Sequence, residues 1–451
     1  MRRMSGVGNV SLIFLFIILL TASAISGEKT LTLTLDESIN IALQQSLAVH
    51  SAREGVKASE SERKGALTGF LPILNTKYYY TRLKDDVWTT IPGYGSFQTG
   101  TKNNYTWEVE ATQPIFAGGK IYSNYQINKL GAEISRMNES ASIENTVEAV
   151  KTHYFNILKS ERILTVAQQS VQRLKAHRDT AQSFYDVGLI PKNDLLYAEV
   201  ELASGNQNLV MAENGVLLAK AQFNTILRRS INEPIDIHDI LDYSPYERDL
   251  DECLKTAFEN RHEIRAYGLV AEQAREAVTL ARGDYYPSVN IVGNYSKYGD
   301  QPDVSGSRYK NQEDWRVMAI ANWNFWEWGK TGHAVDASKS SAIQAENALL
   351  DLKDRIALDV KNSYLDLREA EKHIFVAQKA IEQAEENFRI NEERYKEQVA
   401  TSTDVIDAQT LLTKTKSDYY NALSDYNIAV GKLERSMGIG YAPPKETGNA
   451  K

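Results

Sequence analysis

A single cysteine, Cys253, stands among 451 residues, so no disulfide can form within the chain. It occupies an apolar position of its segment, and packing is its expected role. Prolines number ten and glycines 26, few for this length and confined to a handful of places. That scarcity predicts long uninterrupted elements, and no Pro/Gly/Ser-rich linker divides the chain into separate domains. Positive charge is short as well. The 51 Lys and Arg face 59 Asp and Glu, and the net charge of −8 argues against a nucleic-acid partner. Seven histidines, from His50 to His373, show no metal-ligand spacing and read as isolated surface residues. Gly329-Lys330-Thr331 ends like a phosphate-binding loop, but Asn324 stands where that loop needs its first glycine, which argues against nucleotide binding. No cofactor, no metal and no enzymatic activity are expected.

Long apolar runs are missing too, except at the N-terminus. Arg2-Arg3, the run from Val10 to Leu20, and Ala22-Ser23-Ala24 form the three parts of a secretory signal peptide, placed at 1–24. Its apolar core of about a dozen residues is short for a membrane-spanning helix. With no cysteine at the cleavage point, a lipid anchor there is not expected. The protein is expected to be exported, and any membrane crossing to be made by strands.

What the chain does have is a duplication. Leu35-Asp36-Glu37-Ser38-Ile39 returns as Leu250-Asp251-Glu252-Cys253-Leu254, an offset of 250 − 35 = 215. Phe70-Leu71-Pro72 returns as Tyr285-Tyr286-Pro287 at the same offset. Phe116-Ala117-Gly118-Gly119-Lys120 returns as Trp326-Glu327-Trp328-Gly329-Lys330, now at 330 − 120 = 210. Tyr185 and Asp194 return at that second offset as Tyr395 and Asp404. Length changes were tolerated in one segment only, as a loop would allow. The reading is repeat 1 over 25–233, a connector over 234–249, repeat 2 over 250–440 and a short tail over 441–451.

Each repeat opens with capping-box spacing, Thr34 before Glu37 and Asp249 before Glu252. Helical pattern then runs to Phe70 and to Tyr285, where Pro72 and Pro287 end it. The period next changes to two. Trp107, Val109 and Ala111 alternate with polar residues, as do Trp315, Val317, Ala319, Ala321 and Trp323. Hairpins are predicted at about 73–115 and about 288–325, with polar loops at 83–104 and 299–314. Ten or so residues per strand is the length that crosses a bilayer when tilted. Five of the six tryptophans lie in or just after the second strand of each hairpin, where an aromatic belt would sit. The same alternation would suit a half-buried hairpin in a soluble sandwich; the signal peptide and the tryptophans favour the barrel.

From Lys120 to Val187 and from Lys330 to Val399 nothing interrupts a helical pattern. Heptads run through Ile143, Val147, Val150, Tyr154, Ile157, Leu164 and Val171, and again through Ala408, Leu412, Thr415, Tyr419 and Ala422, which predicts paired coils. A rise of about 1.5 Å per residue makes each rod roughly 100 Å long. The rods end at sharp turns, Val187-Gly188-Leu189 and Gln398-Val399-Ala400, and return helices start near Asp194 and Asp404. Four strands cannot close a barrel, and an open edge cannot sit in lipid, so the chain must oligomerise. Three copies would supply twelve strands around a wet lumen, continued by helical rods. The sequence describes a conduit.

At this point the chain resembles the TolC-like outer-membrane efflux proteins over nearly its whole mature length. Gln113-Pro114-Ile115-Phe116-Ala117-Gly118-Gly119-Lys120, its second copy and the tip segments carry the resemblance most specifically. It implies an α+β membrane protein: a homotrimer whose transmembrane β-barrel, four strands per chain, continues as a long periplasmic α-helical barrel. It also implies an outer-membrane exit duct of a tripartite efflux or type I secretion system in a Gram-negative bacterium. The expected partners are a periplasmic adaptor (membrane fusion) protein, an inner-membrane transporter and outer-membrane lipid. By the same resemblance Asp404 and Asp407 form the pore constriction at the periplasmic tip. Asp194 and Tyr395 are its latch, and Val187, Gly188 and Leu189 meet the adaptor. Two departures stand out: Ala400 replaces the latch arginine and Gln398 replaces a glycine. Taken without the family, Asp404 is a helix N-cap and Asp407 a solvated first-turn acid. A periplasmic coiled-coil adaptor or structural envelope protein is the alternative to a channel.

Overall fold

The computed structural model describes residues 31–441, so the signal peptide and nearly all of the tail lie outside the described residues. Repeat 1 opens with α1 (Leu35–Gln45) and α2 (Leu47–Thr68). Thr34 caps α1 through the expected box, its side chain accepting from the Glu37 amide while Glu37 accepts from the Thr34 amide. The single helix expected as far as Phe70 is in fact two. Ser46 is extended, at φ −60° and ψ 122°, and its hydroxyl caps α2 at Val49. In repeat 2 Arg261 makes the same break between α5 (Leu250–Asn260) and α6 (His262–Arg282). Neither break contains Pro or Gly, which is why the pattern conceals it.

The four-stranded antiparallel sheet runs in the order β2 (Ile73–Arg82), β5 (Asn103–Ala117), β7 (Ser288–Gly299), β8 (Glu313–Asn322). The central β5–β7 pair joins the two repeats, with a register slip between Pro114 and Phe116. Both edge strands, β2 and β8, are ten residues long, and among the described residues they lack a partner on their outer sides. The second hairpin ends earlier than expected, because β8 stops at Asn322 and Trp323 to Trp328 leave the sheet. The loop at 83–104 is not irregular either. It folds into a hairpin of its own, β3 (Val87–Ile91) on β4 (Gly95–Gly100), around a turn with Gly93 at φ +84°. β6 (Ile235–Ile237) of the connector pairs in parallel with β1 (Leu31–Leu33) at the start of repeat 1, and the Tyr154 hydroxyl donates to the His238 carbonyl beside them.

The rods are α3 (Lys120–Asp186) and α7 (Lys330–Lys396), 67 residues each, or about 100 Å. The return helices are α4 (Lys192–Ile226) and α8 (Ser402–Ser436), 35 residues each. Both pairs sit at an offset of 210 without insertion (330 − 120 and 402 − 192). The core lies at the waist, where Val150, Tyr154 and Ile157 of α3 meet Val360 and Leu367 of α7 and Tyr426 and Leu433 of α8. Cys253 is buried there, as a packing residue should be. On α8 the predicted seam is the buried one. On α3 the buried face leaves the predicted heptad after Ile157 and passes through Val166, Ser170, Leu174 and Ala181. A straight helix drifts about 20° per heptad, and α3 faces different neighbours along its length.

The Gly-Gly-Lys motif joins sheet to rod through a close approach. Gly118 has φ +62°, and a Cβ there would collide with the Gly283 carbonyl oxygen. Gly119 also has positive φ, but a Cβ there would meet nothing within 4 Å. Lys120 completes the joint with an ion pair to Asp284 at 2.6 Å. Gly118→Ala is therefore expected to abolish correct folding. Gly119→Ala should cost only the left-handed strain of about 1–2 kcal/mol, leaving near-normal yield; heat-modifiability on gels compares the two.

Candidate functional site at the rod tips

Both rods turn back through the same backbone geometry. Gly188 (φ +79°) donates to the Tyr185 carbonyl at 2.9 Å, and Leu189 to Phe184 at 2.8 Å. Gln398 (φ +59°) donates to Tyr395 at 3.0 Å, and Val399 to Arg394 at 2.8 Å. The second turn is thus made without glycine, by holding Gln398 in a left-handed conformation that is unfavourable for its side chain. Arg394 supports it by donating to the Val399 carbonyl at 3.1 Å. No spacing rule points to Arg394. Val187 and Leu189 stand exposed on either side of Gly188, whose missing Cβ faces open space.

The two tip aspartates divide their work differently. Thr401, not Asp404, is the N-cap of α8. Asp404 sits three residues on and closes a capping box, accepting from the Thr401 amide and hydroxyl at 2.8 Å each. Those two bonds hold its carboxyl below the usual aspartate range. Asp407 lies one turn further, also exposed, while Val405, Ile406 and Ala408 are buried. The two carboxylates therefore share the free face of α8. In repeat 1 Pro191 occupies the cap position and offers no side-chain hydrogen bond, so Asp194 has no box to enter.

Tyr395 is buried between the His177 ring at 4.8 Å and the Phe184 ring at 5.5 Å. Burial and, after it, the negative charge of Asp194 push its phenol up. Its hydroxyl has no hydrogen-bond partner among the described residues, so the two predicted latch residues are neighbours that no hydrogen bond joins. The bond across this joint is made instead by His177, whose Nε2 meets the Ser402 hydroxyl at 2.8 Å. The sequence reading of His177 as a surface residue is thereby corrected. Only its packing against Tyr395 and the start of α8 gives it away, because Ser402 lies 225 positions downstream. At the far end of the rods, Trp323, Phe325, Trp326 and Trp328 are all exposed around the sheet-to-rod boundary.

A four-stranded sheet with open edges, bilayer-length strands and two rods of about 100 Å is the fold of an outer-membrane channel subunit. The chain belongs to the Outer membrane efflux protein family, whose model matches residues 38–227 and 253–439. It is similar to outer membrane protein TolC of Escherichia coli, 20% identical over 77% of this chain and 72% of that protein. It is also similar to outer membrane efflux protein BepC of Brucella suis, 19% identical over 93% and 89%. The Campylobacter jejuni CmeC outer membrane channel superposes with a TM-score of 0.78, at 14% identity over 90% of this chain and 86% of that one. The protein is an outer-membrane exit duct for efflux, reaching into the periplasm.

Burial lowers His177 from 6.5 to about 4, against a smaller opposing effect of Glu392. Between those two values the unfolded chain binds a proton that the folded one refuses, so this residue's contribution is complete above about pH 6.5 and is lost toward pH 4. His177→Gln keeps a side chain able to hydrogen-bond Ser402. It is expected to flatten the fall in thermal midpoint over that window relative to wild type, as followed by circular dichroism.

Proposed function

We propose that three copies of this chain close a twelve-stranded barrel and an α-helical barrel beneath it. The assembly serves as the passive duct of a tripartite efflux or type I secretion system and performs no chemistry of its own. The observation that carries this reading is the pair of ten-residue edges, β2 and β8, without an outer partner among the described residues, at the end of two 67-residue rods. Lipid offers no partner to those edges, whereas the next copy does. The exposed aromatics around Trp326 then lie against lipid at the periplasmic boundary of the membrane. An inner-membrane transporter supplies the energy. A periplasmic adaptor meets Val187, Gly188 and Leu189, which are exposed together at one turn.

Three copies of Asp404 and Asp407 would form two stacked acidic rings at the mouth, which attract cations and favour their passage. Mutual repulsion there opposes the capping bonds that depress Asp404. Alanine at Asp404 would remove its half of the capping box together with the charge, so Asp404→Asn is paired with Asp407→Ala. Planar-bilayer recording of the detergent-purified protein should show small cation-selective steps blocked by millimolar divalent cations. The double variant should lose that block; retention of full block would remove these residues from the constriction.

Gly188→Asp tests the docking turn, because aspartate tolerates the left-handed conformation better than most residues. Efflux is expected to be lost while trimer content and conductance stay normal. Normal efflux would take this turn out of the adaptor surface.

A further inference from the structure

Part-way along the rods, a hollow of about 400 Å³ opens where α3, α4 and α8 meet. Ile163, Val166 and Ala167 of α3 and Met211 and Ala212 of α4 form its apolar wall. Ser170, Asn208 and Thr413 supply two hydroxyls and an amide. Charged residues make up 24% of the chain, yet among the described residues none lines this hollow. An apolar wall with a few polar groups, at this volume, is the usual make-up of a small-molecule site.

Two features of the hollow are not required by the fold. Gly215 stands in the interior of α4, where glycine costs about 1 kcal/mol relative to alanine. A Cβ there would meet nothing within 4 Å, so packing does not ask for glycine. Gly205, also on the lining, differs, because its Cβ would come within 2.7 Å of the Leu174 side chain. What Gly215 leaves is room. The second feature is Gln409, 2% exposed, whose Nε2 donates to the Ser170 and Thr413 hydroxyls at 3.3 and 2.9 Å. Its Oε1 is buried and has no partner among the described residues, an unmet acceptor that costs about 1–3 kcal/mol.

The duplication supplies a comparison within the same molecule. A second hollow, of about 360 Å³, lies between α7 and α8. Each residue lining it, from His373 to Asp425, stands 210 positions after one that lines the first (373 − 163, 425 − 215). The paired backbones therefore make the hollow, and the side chains decide what it can hold. His373 replaces Ile163, Asp418 replaces Asn208 and Asp425 replaces Gly215. The repeat 2 hollow is thus ringed by ionisable groups, and Asp425 pairs with Lys159 at 3.6 Å. Only the repeat 1 hollow is neutral.

We propose that the hollow between α3, α4 and α8 binds an uncharged amphipathic small molecule, with an apolar body and a hydroxyl or amide N–H at one end. The body lies against Val166 and Met211, in the room left by Gly215. The polar end bonds the Ser170, Thr413 and Gln409 cluster, where an acceptor is free. A charged molecule would find no counter-ion on this wall and would lose its hydration on entering. The site is built within one chain, so it stands apart from the trimeric reading.

Two photolabels with one skeleton test this on the detergent-purified protein: a trifluoromethyl-phenyldiazirine carrying a benzyl alcohol, and its benzoic acid analogue. The carbene released by light inserts into neighbouring bonds with little preference, so peptide mass mapping reports where each label sat. The alcohol should label the 160–170 and 205–215 segments saturably, and the acid should not. The equivalent segments of repeat 2, 370–380 and 415–425, should stay unlabelled. Gly215→Leu fills the hollow, and Gly215→Asp gives it the residue that repeat 2 carries at Asp425. Both should lose the saturable labelling while background labelling of the membrane strands is unchanged. If Gly215→Leu does not fold, Gly215→Asp decides, since repeat 2 accommodates that side chain on the same backbone. Labelling that does not saturate, that the acid matches, that falls equally on repeat 2, or that survives Gly215→Asp overturns the proposal.

Discussion

An unpaired backbone amide or carbonyl in hydrocarbon costs several kcal/mol, and each edge of this sheet presents a whole row of them. β2 and β8 are long enough to cross a bilayer and have no strand along their outer sides among the described residues. The rest of the architecture answers that constraint. Copies must meet edge to edge; α3 follows β5 almost at once at Lys120, α7 starts at Lys330 after the segment from Trp323 to Gly329, and the rods are carried into the same ring. The joint that fixes the exit of α3 is small: Gly118 against the Gly283 carbonyl, and Lys120 paired with Asp284. In repeat 2, Trp328 takes the place of Gly118 at φ +53°, and it stays exposed where Gly118 is pressed against its own chain.

The parts of the fold readable in the sequence are those governed by local or periodic rules. Thr34 and Glu37 announce a helix start because the box closes within three residues. The length of the rods follows from the lack of any breaker between Lys120 and Asp186. Pro72, Gly118 and Gly119 mark the boundaries of the first hairpin. The β3–β4 hairpin has a signal, Pro92-Gly93 preceded by Val87 to Ile91, which the general polarity of the loop masks. Ser46 and Arg261 break helices without Pro or Gly: Ser46 turns the chain by capping α2 at Val49, whereas Arg261 does so with no side-chain cap. The drift of the α3 seam from Ile157 to Val166 depends on which neighbour the rod meets.

At the tips the duplication shows how far one backbone can be held by different means. The first turn uses Gly188; the second uses Gln398 in the same left-handed region, with Arg394 holding the following carbonyl. Pro191 and Thr401 are equivalent by position, and that single difference decides what the next aspartate does. Asp404 is held by the Thr401 cap, whereas Asp194 is left to act on Tyr395 through its charge. The aspartates and the glycine are visible from the sequence. His177 is not, since a histidine in a helix carries no spacing signal and its partner Ser402 comes from the other repeat.

Symmetry of backbone with asymmetry of side chains has a mechanical consequence. A ring of six identical coil pairs would have six equal seams and no preferred place to yield. Here α3 and α7 are the same length, as are α4 and α8, so the two repeats build matching coil pairs. Their chemistry alternates: hydrogen bonds and ion pairs bind α3 to α8, and the bare faces of α4 and α7 carry Leu196, Leu365 and Val376 at the matching places. Hydrophobic contact is non-directional and tolerates sliding, whereas hydrogen bonds and buried ion pairs hold one register. The α3–α8 seam of each chain is therefore held in one register by its polar ties.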